Sequence, residues 1–422
     1  MGRLTQEPQP FSMKSSGNGL KLILDSYNRG IFQPHIALAA LAIVPAVSLG
    51  QLKVAPRADV WFQDSSNVFD LANGVAPPNH NAGSPRGDTF EAYGAGLNST
   101  YTWSRQTLTL DLDGRQFHYN RFSELDHDDY RLSADWEWKL GRILDGSIGV
   151  NRGREMVAFS SFLGTQLSLE TNQNEHANLN IRVTPDWRLE TEANSSRSDS
   201  PRPGLPDLSL VEDTLQAALK YVGTTGLTWG FGERYITGTY KGAVGDTEPG
   251  YHEVAGDFLL NYATPRSALD MNVGYTSRRS SSDYDDLSGF TGRLSYQYTF
   301  TPKTNVRLEL SRVINSYITN ASSEIDTAAT LRLNWQATRK IAVKWSYSYT
   351  YSELPHQGTD GDDRLDHWRV TELDIDYHIT RQFEVRPYAR FETRGSNLFG
   401  ATYSANIYGV YGYFRWQAVG PP

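Results

Sequence analysis

The chain has 422 residues, no cysteine and a formal net charge of −8. The missing cysteines exclude a disulfide framework, thiolate metal sites, a cysteine nucleophile and a lipid-bearing N-terminal cysteine. The acidic balance lacks the basic footprint of a nucleic-acid binder. A hydrophobic fraction of 39% is low for a helical membrane protein, but it suits a sheet that turns every second residue to lipid, and 24 Tyr, 10 Trp and 36 Gly supply interface belts and turns.

In chain order, the first expected element is a targeting signal. Lys14, Lys21 and Arg29 precede an apolar run from Ile36 to Val44, Pro45 ends it, and Ala46, Ser48 and Gly50 follow. This is the charged, apolar and small-residue order of a secretory leader. Residues 1–50 are read as an N-terminal extension with a cleavable signal peptide, cut after Ser48 or Gly50, and Met13 is a candidate start. The remainder, 51–422, reads as one domain. It contains no apolar run long enough for a spanning helix.

Strands follow from end to end. One is expected near Ala58–Gln63. At Tyr130–Lys139, Tyr130, Leu132, Ala134, Trp136 and Trp138 alternate with Arg131, Ser133, Asp135, Glu137 and Lys139, a period of two that no helix produces. The pattern recurs at Phe290–Phe300 and Ile341–Tyr351. Short turns fall near residues 104, 141, 185, 224, 264, 302, 338 and 380, and several share a Thr-x-x start: Thr184-Pro185-Asp186, Thr301-Pro302-Lys303, Thr380-Arg381-Gln382. Longer polar segments separate the hairpins, at 65–88, 120–128, 155–174 and onward. Short turns on one side and long loops on the other is the layout of outer-membrane barrels. The eight hairpins, with one strand before them and one near Tyr403–Trp416 after them, predict an all-β, antiparallel, up-and-down transmembrane barrel of about 18 strands. The count falls to 16 if the ambiguous segments Glu155–Asn174 and Arg234–Tyr251 are loops. The last strand presents Tyr408, Val410, Gly412, Phe414 and Trp416 on one face, as a barrel-assembly signal does. Pro387 interrupts the apolar face of Phe383–Phe391 and marks either a bulge or a position whose N–H would point off the ladder. A soluble sandwich also alternates, with its apolar face inward; leader, turn asymmetry and terminal strand favour the barrel.

Several segments carry a family resemblance: Asp64-Ser65-Ser66-Asn67-Val68-Phe69, Phe117-His118-Tyr119-Asn120-Arg121-Phe122 with Leu125-Asp126, Trp136-Glu137-Trp138-Lys139-Leu140-Gly141, Phe159 to Phe162, and Phe290-Thr291-Gly292-Arg293-Leu294-Ser295-Tyr296. Together they resemble the EpsL-type outer-membrane β-barrel porins, which are encoded with exopolysaccharide synthesis genes. The similarity is a diffuse pattern over nearly the whole of 51–422, without a catalytic motif. It implies an outer-membrane location and a part in making or exporting an extracellular polysaccharide.

Parity sets the candidate site. Arg131, Asp135, Arg188, Glu190, Glu192, Asp257, Arg293, Arg307, Glu309, Arg332, Lys344, Glu384, Arg386, Arg390 and Glu392 lie opposite the aromatics and are expected to line a hydrated pore, with Tyr388 as an inward ring able to stack on a sugar. The alternative for each is a cross-strand ion pair that holds register. With such a lining, the strands are expected to give the interior no apolar filling, and loops 65–88 and 155–174 are the two that could fold inward as a plug. The outward Trp103, Trp136, Trp138, Trp335, Trp345 and Trp416 read as interface girdles. Acidic clusters at Glu124–Asp129, Asp283–Asp286 and Asp360–Asp366 read as solvated loops, with divalent bridging to lipopolysaccharide as a second reading. The leading functional expectation is a polysaccharide-export channel without a cofactor, supported by periplasmic or inner-membrane export partners. The alternatives are a general or sugar-uptake porin and, behind it, a polysaccharide-modifying enzyme; Glu190 and Glu192 are the carboxylate pair such an enzyme would use.

Overall fold

The computed structural model describes residues 52–81, 83–162, 164–201, 208–242, 249–280, 286–317, 322–358 and 361–416. The expected leader lies outside them. The strands are β1 (Leu52–Ser65), β2 (Asp88–Trp103), β3 (Gln106–Tyr119), β4 (His127–Leu140), β5 (Leu144–Met156), β6 (Leu169–Arg182), β7 (Trp187–Ser200), β8 (Leu208–Val222), β9 (Leu227–Lys241), β10 (Gly250–Ala263), β11 (Ser267–Ser280), β12 (Leu287–Thr301), β13 (Thr304–Tyr317), β14 (Ser322–Trp335), β15 (Ile341–Leu354), β16 (Arg364–His378), β17 (Phe383–Ser396) and β18 (Tyr403–Arg415). Each pairs antiparallel with its chain neighbours, and β1 meets β18 from Arg57↔Arg415 to Ser65↔Ile407. The eighteen-stranded sheet therefore closes on itself, which satisfies backbone polar groups where no water could.

Each ambiguous segment is flanked by two strands, β5 and β6 on either side of the loop 157–168, and β9 and β10, so the count stays at 18. The outward faces of β5 and β6 carry Arg152, Arg154, Gln173 and Glu175, and this polarity hides the alternation from a hydropathy reading. β1 is also longer than the expected Ala58–Gln63 at both ends.

The sheet is inverted relative to a soluble fold. On β1, Arg57, Asp59 and Ser65 are buried while Val60 and Phe62 are exposed. Leu108, Leu132, Ile148, Leu215, Phe231, Val273, Tyr296 and Leu331 continue the exposed apolar band around the barrel. Exposed apolar and buried charged residues are the reverse of a water-soluble core, so the sandwich alternative is excluded.

The short turns repeat one device. The hydroxyl of Thr184 accepts the N–H of Trp187 at 3.1 Å, Thr264 that of Ser267 at 2.9 Å, Thr338 that of Ile341 at 3.0 Å and Thr380 that of Phe383 at 3.0 Å. A threonine side chain satisfies a backbone donor that the reversing chain would otherwise strand. Elsewhere Gly141 (φ +64°) and Gly226 (φ +78°) take the left-handed position of the turn.

Pro387 makes no bulge. It pairs with Val410 on the β18 side, while on the β16 side the ladder lapses and resumes in the same register, from Asp374↔Tyr388 to Tyr377↔Val385. The ring removes one donor without adding a residue. The irregularity recorded in the β12–β13 pair lies at Thr299/Thr301 instead.

Among the ten tryptophans, Trp103, Trp136, Trp138, Trp187, Trp229, Trp335, Trp345 and Trp416 lie on the outward face near the short-turn ends of their strands. Trp61 and Trp368 point inward, against Phe90 and Tyr403. The girdle therefore occupies one rim of the barrel.

Candidate functional site

The site is the lumen. Strand register places all the expected pore-lining residues, from Arg131 to Arg390, on its inward face. What the structure adds is how they are partnered. On the wall built from β13 to β18 and β1 to β3, charges are tied in pairs. Lys344 and Arg386 share Asp376 at 2.5 and 2.6 Å, Glu384 joins Arg386 at 3.0 Å, and Arg390 pairs with Glu392 at 2.6 Å. Glu309 holds Arg332 and, at 3.7 Å, Arg307. Buried Arg57 lies between Asp111 and Asp113, and Arg115 meets Asp59 at 3.0 Å. Tyr388 is buried too: its hydroxyl accepts from Trp61 Nε1 at 2.8 Å and donates to Gln63 at 2.6 Å, so this ring is part of the wall's bonding rather than an open stacking platform.

Around β5 to β8 the lining changes. Asn151, Asn174 and Ser196 share one rung, His176, Asn194 and Thr214 the next, and Asn178, Glu192 and Gln216 the one below. Charges here are fewer; Glu190 pairs with Lys220 at 2.6 Å and Asp135 meets His176 at 3.6 Å. Glu190 and Glu192 are thus differently partnered neighbours. Arg188 Nε is buried without a hydrogen bond.

The expectation of no apolar filling is overturned at the long-loop end. There the loop 66–87 after β1 and the loop 157–168 after β5 turn into the barrel. Phe69 and Phe159 pack with Phe122 and Leu125 on Phe90, Phe117 and Tyr119 of the inner face. The Ser160 N–H donates to Asp70 at 3.3 Å, and its carbonyl accepts from Arg394 of β17 at 2.8 Å. Arg394, 1% exposed, also pairs with Asp366 at 2.6 Å and lies over Trp368. Asp366 is therefore a buried strand residue, not part of an acidic loop; Asp283, Asp285 and Asp360 lie outside the described residues. Burial, then the nearby Glu392 charge, pushes the Asp70 carboxyl up to about 8. The loops form a roof, with hydrocarbon at its centre because two polar loops cross a lumen that offers them aromatic rings.

A second inward feature is the end of the β13–β14 hairpin. β12 pairs with β13 only up to Gly292↔Arg312, whereas β13 stays paired with β14 to Tyr317↔Ser322. Above that point the hairpin leaves β12 and leans across the lumen. Ser316 bonds Glu212 of β8 and Tyr251 of β10, each at 2.8 Å, and Tyr240 donates to the Ser322 carbonyl at 2.8 Å. Arg278, held by Glu253 at 2.8 Å and stacked on Tyr251, reaches the Ile314 carbonyl that the broken ladder frees. Phe290, left beside the gap, is 74% exposed. Below roof and hairpin remains a cavity of about 680 Å³, lined by residues of both walls, among them Arg57, Asp59, Asn151, Asn174, Glu253 and Arg293.

A family model described as "Putative beta-barrel porin 2" matches residues 250–412, which run from β10 into β18. Over that stretch the chain is similar to this porin family, and the described residues form a closed eighteen-stranded antiparallel β-barrel. A comparison with curated proteins finds no match. Solved structures similar to this porin-like barrel include OpdK of Pseudomonas aeruginosa with vanillate, at 10% identity over 86% of this chain and 99% of that one, TM-score 0.49. OccK9 (OpdG) of the same organism is 14% identical over 86% and 98%, TM-score 0.46. The ferric-catecholate import receptor Fiu of E. coli is 9% identical over 87% and 82%, TM-score 0.48.

Sequence parity missed Arg57, Glu253, Arg278 and Arg394. Arg57 precedes the expected strand Ala58–Gln63 by one residue, and Arg278 lies beyond the apolar alternation Leu269–Tyr275. Arg394 carries the inward parity of Arg386 and Arg390, and extending that series would have found it.

Proposed function

We propose that this barrel passes a hydrated glycan across the outer membrane, acting in the export of an extracellular polysaccharide. The observation that carries the reading is the lining itself. An eighteen-stranded wall encloses paired charges and amides that trade hydrogen bonds with water and sugar hydroxyls alike. The resemblance to EpsL-type porins supplies the direction. Divalent bridging from the outer loops to lipopolysaccharide, and a periplasmic or inner-membrane partner that delivers polymer, belong to the same proposal. Deleting the gene should leave synthesis intact while polymer accumulates in the periplasm and falls in the medium.

A second reading rests on the roof. Two inward loops and a leaning hairpin leave about 680 Å³, a volume that fits a short oligosaccharide, which favours uptake of small solutes. Normal secretion by the deletion strain, with slower growth on an external sugar, would replace export with uptake.

A further inference from the structure

The lining of β5 to β8 differs from the rest of the lumen in chemistry as well as charge. Its rungs carry carboxamides and hydroxyls on four adjacent strands: Asn172 faces Ser198, Asn174 faces Ser196, His176 faces Asn194, and Asn178 faces Glu192, which in turn faces Gln216. Successive inward positions are about 6.6 Å apart along a strand, so the four rungs form a ladder about 20 Å long. Gly149 and Gly153 occupy inward positions on β5, which recesses the ladder along that edge. Asn174 donates to Asn194 at 2.7 Å. Among the described residues, the side chains of Asn151, Asn178 and Gln216 have no hydrogen-bond partner in the protein, although all three are half-buried.

Resting on the reading of this barrel as a glycan channel, we infer that the β5–β8 ladder is the surface on which the glycan rides, and that the stretch it holds is hydroxyl-rich and uncharged. A carboxamide offers two donors and two acceptors, so it meets a sugar hydroxyl in either sense. Exchanging water for a hydroxyl on such a group gains little net free energy, which gives the weak, repeated contacts that transport requires. The facing wall offers an anionic polymer less, because the arginines named there already hold carboxylates: Arg386 with Asp376, Arg332 with Glu309, Arg57 with Asp111 and Asp113.

The test uses the purified full chain in planar bilayers, probed with a neutral linear glucose hexamer and with a galacturonic acid hexamer. The neutral hexamer should interrupt the ionic current in resolved events, at lower concentration than the acidic one. Replacing the three unpartnered amides, Asn151→Val with Asn178→Val and Gln216→Val, should raise the half-blocking concentration about tenfold, the loss of one or two net hydrogen bonds. Ser311→Val with Ser346→Val on the facing wall should leave it unchanged. Alanine at the same three amides serves as a milder second set, and heat-shifted gel mobility confirms folding of each variant. Equal block of wild type and both amide variants, or stronger block by the acidic hexamer, overturns the inference while the channel stands. A folded wild type without ionic conductance overturns the channel reading itself.

Discussion

The two halves of the lumen solve the same problem differently. From β15 through β18 to β3, inward charges are bound to one another at 2.5–3.0 Å and loops are pinned over them. From β5 to β8, amides and hydroxyls fill the middle rungs beside Arg188, Glu190, Glu192 and Lys220, and several have no partner. A buried ion pair is costly to break, because removing one member strands the other in a poorly solvated place. A half-buried amide loses little when a neighbour is removed, because water replaces it. One wall is a fixed frame and the other is an interchangeable surface. Where a lining must hold shape it uses opposite charges, and where it must release a solute it uses neutral polar groups.

Breaking the frame should have the largest effect. Arg394→Ala removes the link between β17, Asp366 and the Ser160 carbonyl and should cost about 3–5 kcal/mol. The temperature at which the folded band converts in unboiled gels should fall accordingly, and an unchanged conversion would mean the pairs are ornamental.

An intermediate effect should come from pH. Asp70 sits at about 8, above its ordinary 3.8, so the packed roof accepts the neutral acid. Its contribution is complete in acid and is lost as pH rises through about 8, when a carboxylate forms in a buried place beside Glu392, offset in part by the Ser160 N–H and hydroxyl and by Arg390. Conductance should therefore step up between roughly pH 6 and pH 9. Asp70→Asn keeps an acceptor for Ser160 and should flatten the step; a step that survives this change places the titrating group elsewhere.

The smallest effect should be on the amide wall. Asn178→Ala should shift stability by no more than about 0.5 kcal/mol, read from the same gels. Because the chain has no native cysteine, single cysteines sharpen the contrast. At Asn178 or Arg293 they should react with a water-soluble thiol reagent, at Leu294 or Trp345 they should resist it, and at Arg390, buried among carboxylates, they should react slowly.

Much of this was legible in the sequence. Strand number, turn positions and the parity of Arg293, Lys344 or Trp345 follow from a period of two, which is a local property of the backbone. Pro387 announces a ladder defect in the sequence itself, but a missing donor and an extra residue look alike until the register is known. The contacts of the roof were not legible, because Arg394 and Ser160 meet across 234 positions and neither has a local pattern that announces the other. The amide ladder escaped for a related reason. Asn172, Asn174 and Asn178 lie on a strand whose outward Gln173 and Glu175 are polar too, so hydropathy shows no face at all.

The break between β12 and β13 bears on how wide this tube is. In a closed sheet the girth follows from strand number and stagger, and no single strand can move without its neighbours. Above Gly292↔Arg312 that rule no longer applies. The rim nearest the short turns is a hoop of fixed circumference, whereas the opposite rim is a horseshoe whose two tips are joined by side chains. Its bore is set by the reach of Arg278 and Ser316 rather than by counting strands.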